Sequence, residues 1–151
     1  MQGVLEEALG RVFDEWFSLA VAGRTDTGVH ALGQVASVDV EGGAPPERTP
    51  EALNAALPDD VSVVAAQEVE PDFHARRSAR ARSYRYRVYR RAARSPFEVN
   101  RCWWYPYALD EEKLADSADL LPGEHDFRAF TPTETQHDVF TRTVESAIWH
   151  R

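Results

Sequence analysis

Cysteine is almost missing from this sequence of 151 residues: there is one, Cys102. A single thiol excludes an internal disulfide and any metal cage built from several cysteines, and it fits a reducing cytoplasm, where the protein is expected to work. Cys102 itself reads as a small buried hydrophobe. Long apolar runs are also lacking. None approaches the roughly 18 to 20 residues that cross a bilayer, and Met1–Glu7 holds no basic stretch followed by an apolar one, so neither a membrane span nor an export signal is expected. Lysine is the third scarcity: Lys113 stands alone, and the other sixteen of the 17 basic residues are arginines.

The formal charge of −8 argues at first against a nucleic-acid partner, whose phosphates need arginine or lysine. The distribution reverses that argument. Arg76, Arg77, Arg80, Arg82, Arg85, Arg87, Arg90, Arg91 and Arg94 all lie between Phe73 and Phe97, with no acid among them. A segment of +9 within a chain of −8 leaves −17 on the rest, so an acidic body carries one concentrated basic stretch. Such a stretch is the electrostatic footprint of a polyanion-binding face.

The apolar residues Val4, Leu5, Ala8, Leu9, Val12, Phe13, Trp16 and Phe17 recur every three or four positions and predict an amphipathic helix from Val4 to Phe17. Ser18–Ala22 reads as a buried strand feeding a loop over Arg24–His30, and Gln34–Val40 alternates as a returning strand does. Residues 41–46 form a turn. Thr49 as N-cap with Pro50 at the first helical position predicts a helix to about Leu57, and Val61–Ala66 the next strand. Helix, strand, strand, helix, strand is a ferredoxin-like unit without its first strand. The second half begins again with a strand at Arg82–Arg90 and an extended piece at Trp103–Tyr107. A helix follows over Asp110–Leu121, then a segment around Gly123–Phe130 and a last strand from Phe140 to Trp149. The expected class is α+β, with two ferredoxin-like lobes on one mixed, mainly antiparallel sheet: residues 1–72 with the loop, and residues 73–151 with the basic strand.

Arg24-Thr25-Asp26-Thr27-Gly28 has the form of an active-site turn, because a buried strand delivers a carboxylate to a loop and Gly28 permits backbone angles that other residues resist. By composition alone an Asp-Gly turn on a surface loop is commonplace. The stretch Ala22–Ala31, followed by Gly33-Gln34-Val35, resembles the catalytic signature of the TruA family of tRNA pseudouridine synthases almost letter for letter. Gln2–Leu9 and Asn54–Val61 resemble that family's first helix and its second helix with the following turn. Asp72–Ala79 with Arg82–Tyr86 is similar to its second motif, and Leu120-Leu121, Gly123–Phe127 and Phe130 to a third, all in the family's order.

The resemblance implies a pseudouridine synthase fold and the isomerisation of uridine in tRNA, on the 3′ side of the anticodon stem-loop, with no cofactor or metal. It makes Asp26 the nucleophile, Arg24 its charge partner and the filler of the gap left by the flipped base, and Tyr84 the ring that packs on the uracil. His74, Arg76, Arg77, Arg82 and Arg85 are candidates for holding the RNA, with Arg80 and Arg87 as further phosphate contacts. Tyr86 reads as a core tyrosine instead. His30, His125 and His137 are expected to be structural, and Trp103, Trp104, Tyr105 and Tyr107 to pack internally. The family is homodimeric, and two of its parts find no counterpart, an N-terminal strand and a C-terminal arginine motif. The chain therefore reads as incomplete, with little activity expected of it alone.

Two other readings remain. Asp26-Thr27-Gly28 is also the motif of aspartic proteases, though there it follows an apolar run directly and the arginine segment would go unexplained. A non-catalytic RNA-binding fragment is the other.

Overall fold

Leu9 is the residue around which the first core closes: it is 1% exposed and sits with Ala8, Phe13 and Leu53 in a single buried cluster. The computed structural model describes residues 1–131, 134 and 138–151, so His137 lies outside the described residues. Two units are distinguished, Met1–Arg87 with Phe97–Cys102 and Val88–Pro96 with Trp103–Arg151. The chain is a mixture of helices and small sheets. Among the described residues no helix is long and apolar enough to cross a membrane.

In the first unit, helix α1 (Gln2–Val12) and helix α2 (Thr49–Ala56) pack together against strands β1 (Glu15–Val21) and β2 (Ala36–Glu41), which pair antiparallel. Leu5, Val12, Trp16, Leu19, Val38, Ala56, Leu57 and Val63 surround the buried cluster. Burial of a side chain such as Leu9 is worth about 1.5–3 kcal/mol, which makes this cluster the main support of the unit.

Helix α1 ends at Val12, five residues before the expected Phe17. Phe13 is already extended while its N–H still reaches Leu9 O, and the Asp14 N–H pairs with Glu41 O. Trp16 and Phe17 lie in β1 opposite Val40 and Asp39. The register slips between Phe17 and Ala20, and Ser18 there takes φ 54°, the left-handed conformation typical of a β-bulge. The extra residue brings Trp16 and Leu19, three apart, onto one core; in a regular strand that spacing would put them on opposite faces.

Helix α2 starts one residue earlier than expected. Arg48 takes the cap position, and Thr49 is buried in the first turn, its hydroxyl donating back to Ala44 O (3.2 Å) and Pro45 O (3.0 Å) instead of accepting from the helix. Residues 61–66 join no ladder. Val63 is held by the Asn54 side chain, which donates to Val63 O (2.9 Å) and accepts from Val63 N–H (2.7 Å).

In the second unit, strand β3 (Val88–Tyr89) pairs parallel with β4 (Trp103–Trp104), so the strand expected over residues 82–90 is confined to its last part. A ladder needs a partner, and among the described residues none lies beside 82–87. Arg94 stacks 4.4 Å from the Trp104 ring, whose N–H donates to Arg91 O, and Arg90 pairs with Glu111. Trp103, Tyr105 and Tyr107 form a row of contacting rings, yet Trp103 and Tyr107 stay exposed. Their expected internal packing is therefore not found for those two. Helix α3 (Glu111–Asp119) is capped by Asp110, which accepts from the Lys113 N–H, and strands β5 (Gly123–Asp126) and β6 (Thr141–Val144) form an antiparallel pair. The last strand thus stops at Val144, short of Trp149. The sheets of the described residues are three separate two-stranded ladders.

Candidate active site

The loop from Arg24 to Gly33 leaves the end of β1 and returns into β2. Its base is closed twice: Ala22 N–H donates to Val35 O at 2.8 Å, and the Gln34 side chain grips Gly23, accepting from its N–H (3.2 Å) and donating to its carbonyl (2.6 Å). Arg82 donates to the Ala22 carbonyl from a distant part of the chain. At the tip, Val29 N–H bonds to Asp26 O (3.2 Å) and Gly28 takes φ 85°, the positive value that the third position of a type II turn demands. Asp26 is exposed in this turn. His30 anchors the descending side through Nε2 to Asn100 O at 2.7 Å, a structural role as expected.

Beside the loop base lies a hollow of about 470 Å3 lined by Gln2, Leu19, Ala20, Val21, Arg24, His74, Arg76 and Arg77. Three guanidinium groups and an imidazole line it, without a carboxylate, so the hollow is cationic within an acidic chain. The local fold explains the gathering. Ala75, 2% exposed, donates its N–H to Ser37 Oγ on β2 (3.1 Å), which pins the 72–78 turn against the sheet. His74 Nδ1 accepts from the N–H groups of Arg76 (3.2 Å) and Arg77 (3.3 Å), which puts the proton of the neutral ring on Nε2.

Of the residues singled out in the sequence, Arg24, His74, Arg76 and Arg77 are therefore brought together. Arg82 stands at the loop stem. Asp26 is not among the lining residues. Tyr84 and Arg85 stand exposed on the stretch without strand pairing, Tyr84 at 76%. Tyr86, read as a core tyrosine, is 78% exposed, because no layer of the described chain covers residues 82–87. Arg87 is engaged by Glu98 at 3.2 Å. Gln34, quoted in the sequence as part of the loop signature and the start of a strand but given no role in the site, is the residue whose amide grips Gly23.

The first unit is thus a mixed α/β fold with a carboxylate on a braced turn and a cationic hollow at the base of the same loop. Comparison with known sequences makes this specific. The family model described as tRNA pseudouridine synthase matches residues 1–76, and the chain belongs to that family. It is 46% identical over 146 residues to tRNA pseudouridine synthase A of Paramagnetospirillum magneticum, covering 96% of this chain and 57% of that protein. The same-named protein of a Thermoanaerobacter species is 43% identical over 150 residues (96% and 62%), and that of Thermus thermophilus 47% over 136 residues (90% and 53%). The chain thus spans little more than half the length of these relatives.

Proposed function

We propose that the protein carrying this chain is a tRNA pseudouridine synthase acting in the cytoplasm as a homodimer, with Asp26 as its catalytic carboxylate and uridines on the 3′ side of the anticodon stem-loop as its targets. The observation that carries the reading is the convergence of Arg24, His74, Arg76 and Arg77 on one acid-free hollow at the stem of the Asp26 loop. A phosphate backbone held there by charge-assisted bonds would bring a flipped nucleotide to the loop. The names of the relatives support tRNA as the polymer.

The reaction breaks the N1–C1′ bond of uridine, turns the uracil, and joins C5 to C1′; C5 gives up a proton and N1 gains one, so the change is an isomerisation. Ionised Asp26 serves each route open to it, attack at C6, attack at C1′ or removal of the 2′ proton. Arg24, which lines the hollow two residues before it, fills the space the base vacates. Tyr84, exposed in this chain, offers a flat face on which the uracil stacks and a phenol for the C5 proton. Arg85 and the free donors of Arg82 reach further phosphates. This reading carries with it two ferredoxin-like lobes, residues 1–72 and 73–151, sharing one sheet in the complete protein; the helix–strand–strand–helix order of the first unit supports it.

The test is Asp26→Asn in the complete protein, followed by tritium release from C5-labelled uridine in a tRNA transcript. The rate is expected to fall by at least about a thousandfold with tRNA affinity nearly unchanged. Pseudouridine formed at the wild-type rate would remove Asp26 from the chemistry, whereas a wild-type protein that binds tRNA without forming pseudouridine would leave an RNA-binding module.

A further inference from the structure

We infer that Gln34 is a positioning residue for the catalytic loop: its side-chain amide adds one rung to the β1–β2 ladder and so sets the direction in which Gly23 launches Arg24 and Asp26. The inference rests on the reading of Asp26 as the reacting carboxylate. The backbone ladder runs through Val21 opposite Ala36 and the Ala22 N–H to Val35 O bond; beyond it the two chains part to form the loop. Gly23 should then be the first residue with a free N–H and a free carbonyl, and it has no side chain to hold it. The Gln34 amide takes both groups, at 3.2 and 2.6 Å. A primary amide presents a donor and an acceptor on one edge, so it meets one extended residue as a neighbouring strand would. The site is half-buried, where such bonds are stronger than in open water.

Arg82 completes the brace from the other side. Its guanidinium donates to Ala22 O, and a methyl group on Gly23 would stand 3.1 Å from Arg82 Nε, so the glycine leaves the room that the arginine occupies. Arg24 follows Gly23 directly and lines the cationic hollow. A swing of the Gly23 peptide would therefore move Arg24 off the hollow and carry Asp26 with it. In a reaction that depends on the placement of one carboxylate, a shift of about 1 Å costs on the order of 100-fold.

The test compares Gln34→Ala and Gln34→Glu in the complete protein. Glutamate keeps an acceptor for the Gly23 N–H but sets a second oxygen against the Gly23 carbonyl. Hydrogen exchange at the Gly23 amide is expected to quicken about tenfold in the alanine variant and less in the glutamate variant, with exchange at Leu9 unchanged as a check on the fold. The single-turnover rate of pseudouridine formation is expected to fall about 10- to 100-fold in both, a larger loss than that in tRNA affinity, since Arg24 is one of three arginines on the hollow. Unchanged Gly23 exchange in Gln34→Ala would overturn the bracket itself. Faster exchange with an unaltered rate would overturn its positioning role. A wild-type protein inert toward tRNA would instead overturn the functional reading, while the exchange measurement still reports on the bracket.

Discussion

Two glycines with the same backbone angle should respond differently to the same substitution. Gly28 at the tip of the loop has φ 85° and Gly43 after β2 has φ 76°, so alanine at either is placed in the left-handed region at a cost of about 1–2 kcal/mol. Stiffening of the unfolded chain returns about 0.4–1 kcal/mol of that. At Gly28 nothing lies within 4 Å of the added methyl group, and the net loss is expected to stay near 1 kcal/mol. At Gly43 the methyl group would stand 2.3 Å from the Val12 carbonyl oxygen and 2.9 Å from Phe13 Cα and Cδ1. Those atoms are the end of α1 and a member of the buried cluster, so relief requires a shift of backbone, adding about 1–3 kcal/mol. The summed loss of about 2–4 kcal/mol is a large fraction of the 5–15 kcal/mol typical of a folded domain. Urea unfolding followed by far-ultraviolet circular dichroism would show it as a midpoint lower than that of Gly28→Ala by about 1 M. Catalysis should divide the other way: Gly28→Ala impairs turnover per folded molecule, and Gly43→Ala leaves it intact. Equal midpoints for the two variants would refute the packing argument, since backbone angle alone would then account for both.

Removing Arg76 and Arg77 together should weaken tRNA binding and flatten its salt dependence by about 0.7–0.9 in log–log slope per arginine that contacts a phosphate; a filter-binding salt titration with an unchanged slope would take both residues off the RNA. Asp110 caps α3, and hydrogen bonds from the Lys113 side chain and backbone hold its carboxyl below the usual 3.8. Its folded value being the lower one, the stabilisation is present above 3.8 and fades as pH falls through the depressed value. Acid titration of the helical signal should therefore lose a low-pH step in Asp110→Asn, and an identical titration would show that the cap charge is idle.

What could be read from the sequence and what could not divide along a physical line. The carboxylate loop between two strands, the helix at the start and the capped helix after Asp110 are local matters, set by turn chemistry, capping and short-range periodicity, and they stand in the structure. The end of α1 was hidden because Phe13, Trp16 and Phe17 continue the helical spacing of three and four, although Phe13 is already extended and Trp16 and Phe17 belong to β1. Residues 61–66 are mostly apolar and rich in valine and residues 82–87 alternate as strands do, but such patterns describe a preference for a partner and do not supply one. The exposed Tyr84 and Tyr86 show the consequence.

The bonds that shape the candidate site were equally unreadable, and for a related reason. Gln34 braces Gly23 across eleven residues, Asn54 holds Val63 across nine, and Ser37 pins Ala75 across thirty-eight. In each case a polar side chain bonds the backbone of a residue that has no strand partner, so no periodic pattern marks it. The Ser37 contact brings the basic turn to the loop base, and the Gln34 contact holds the residue from which the loop starts. The cationic hollow is thus a product of side-chain-to-backbone rungs as much as of the arginines that line it, and substitutions at Gln34 and Ser37 should disturb the site without touching the charge it presents.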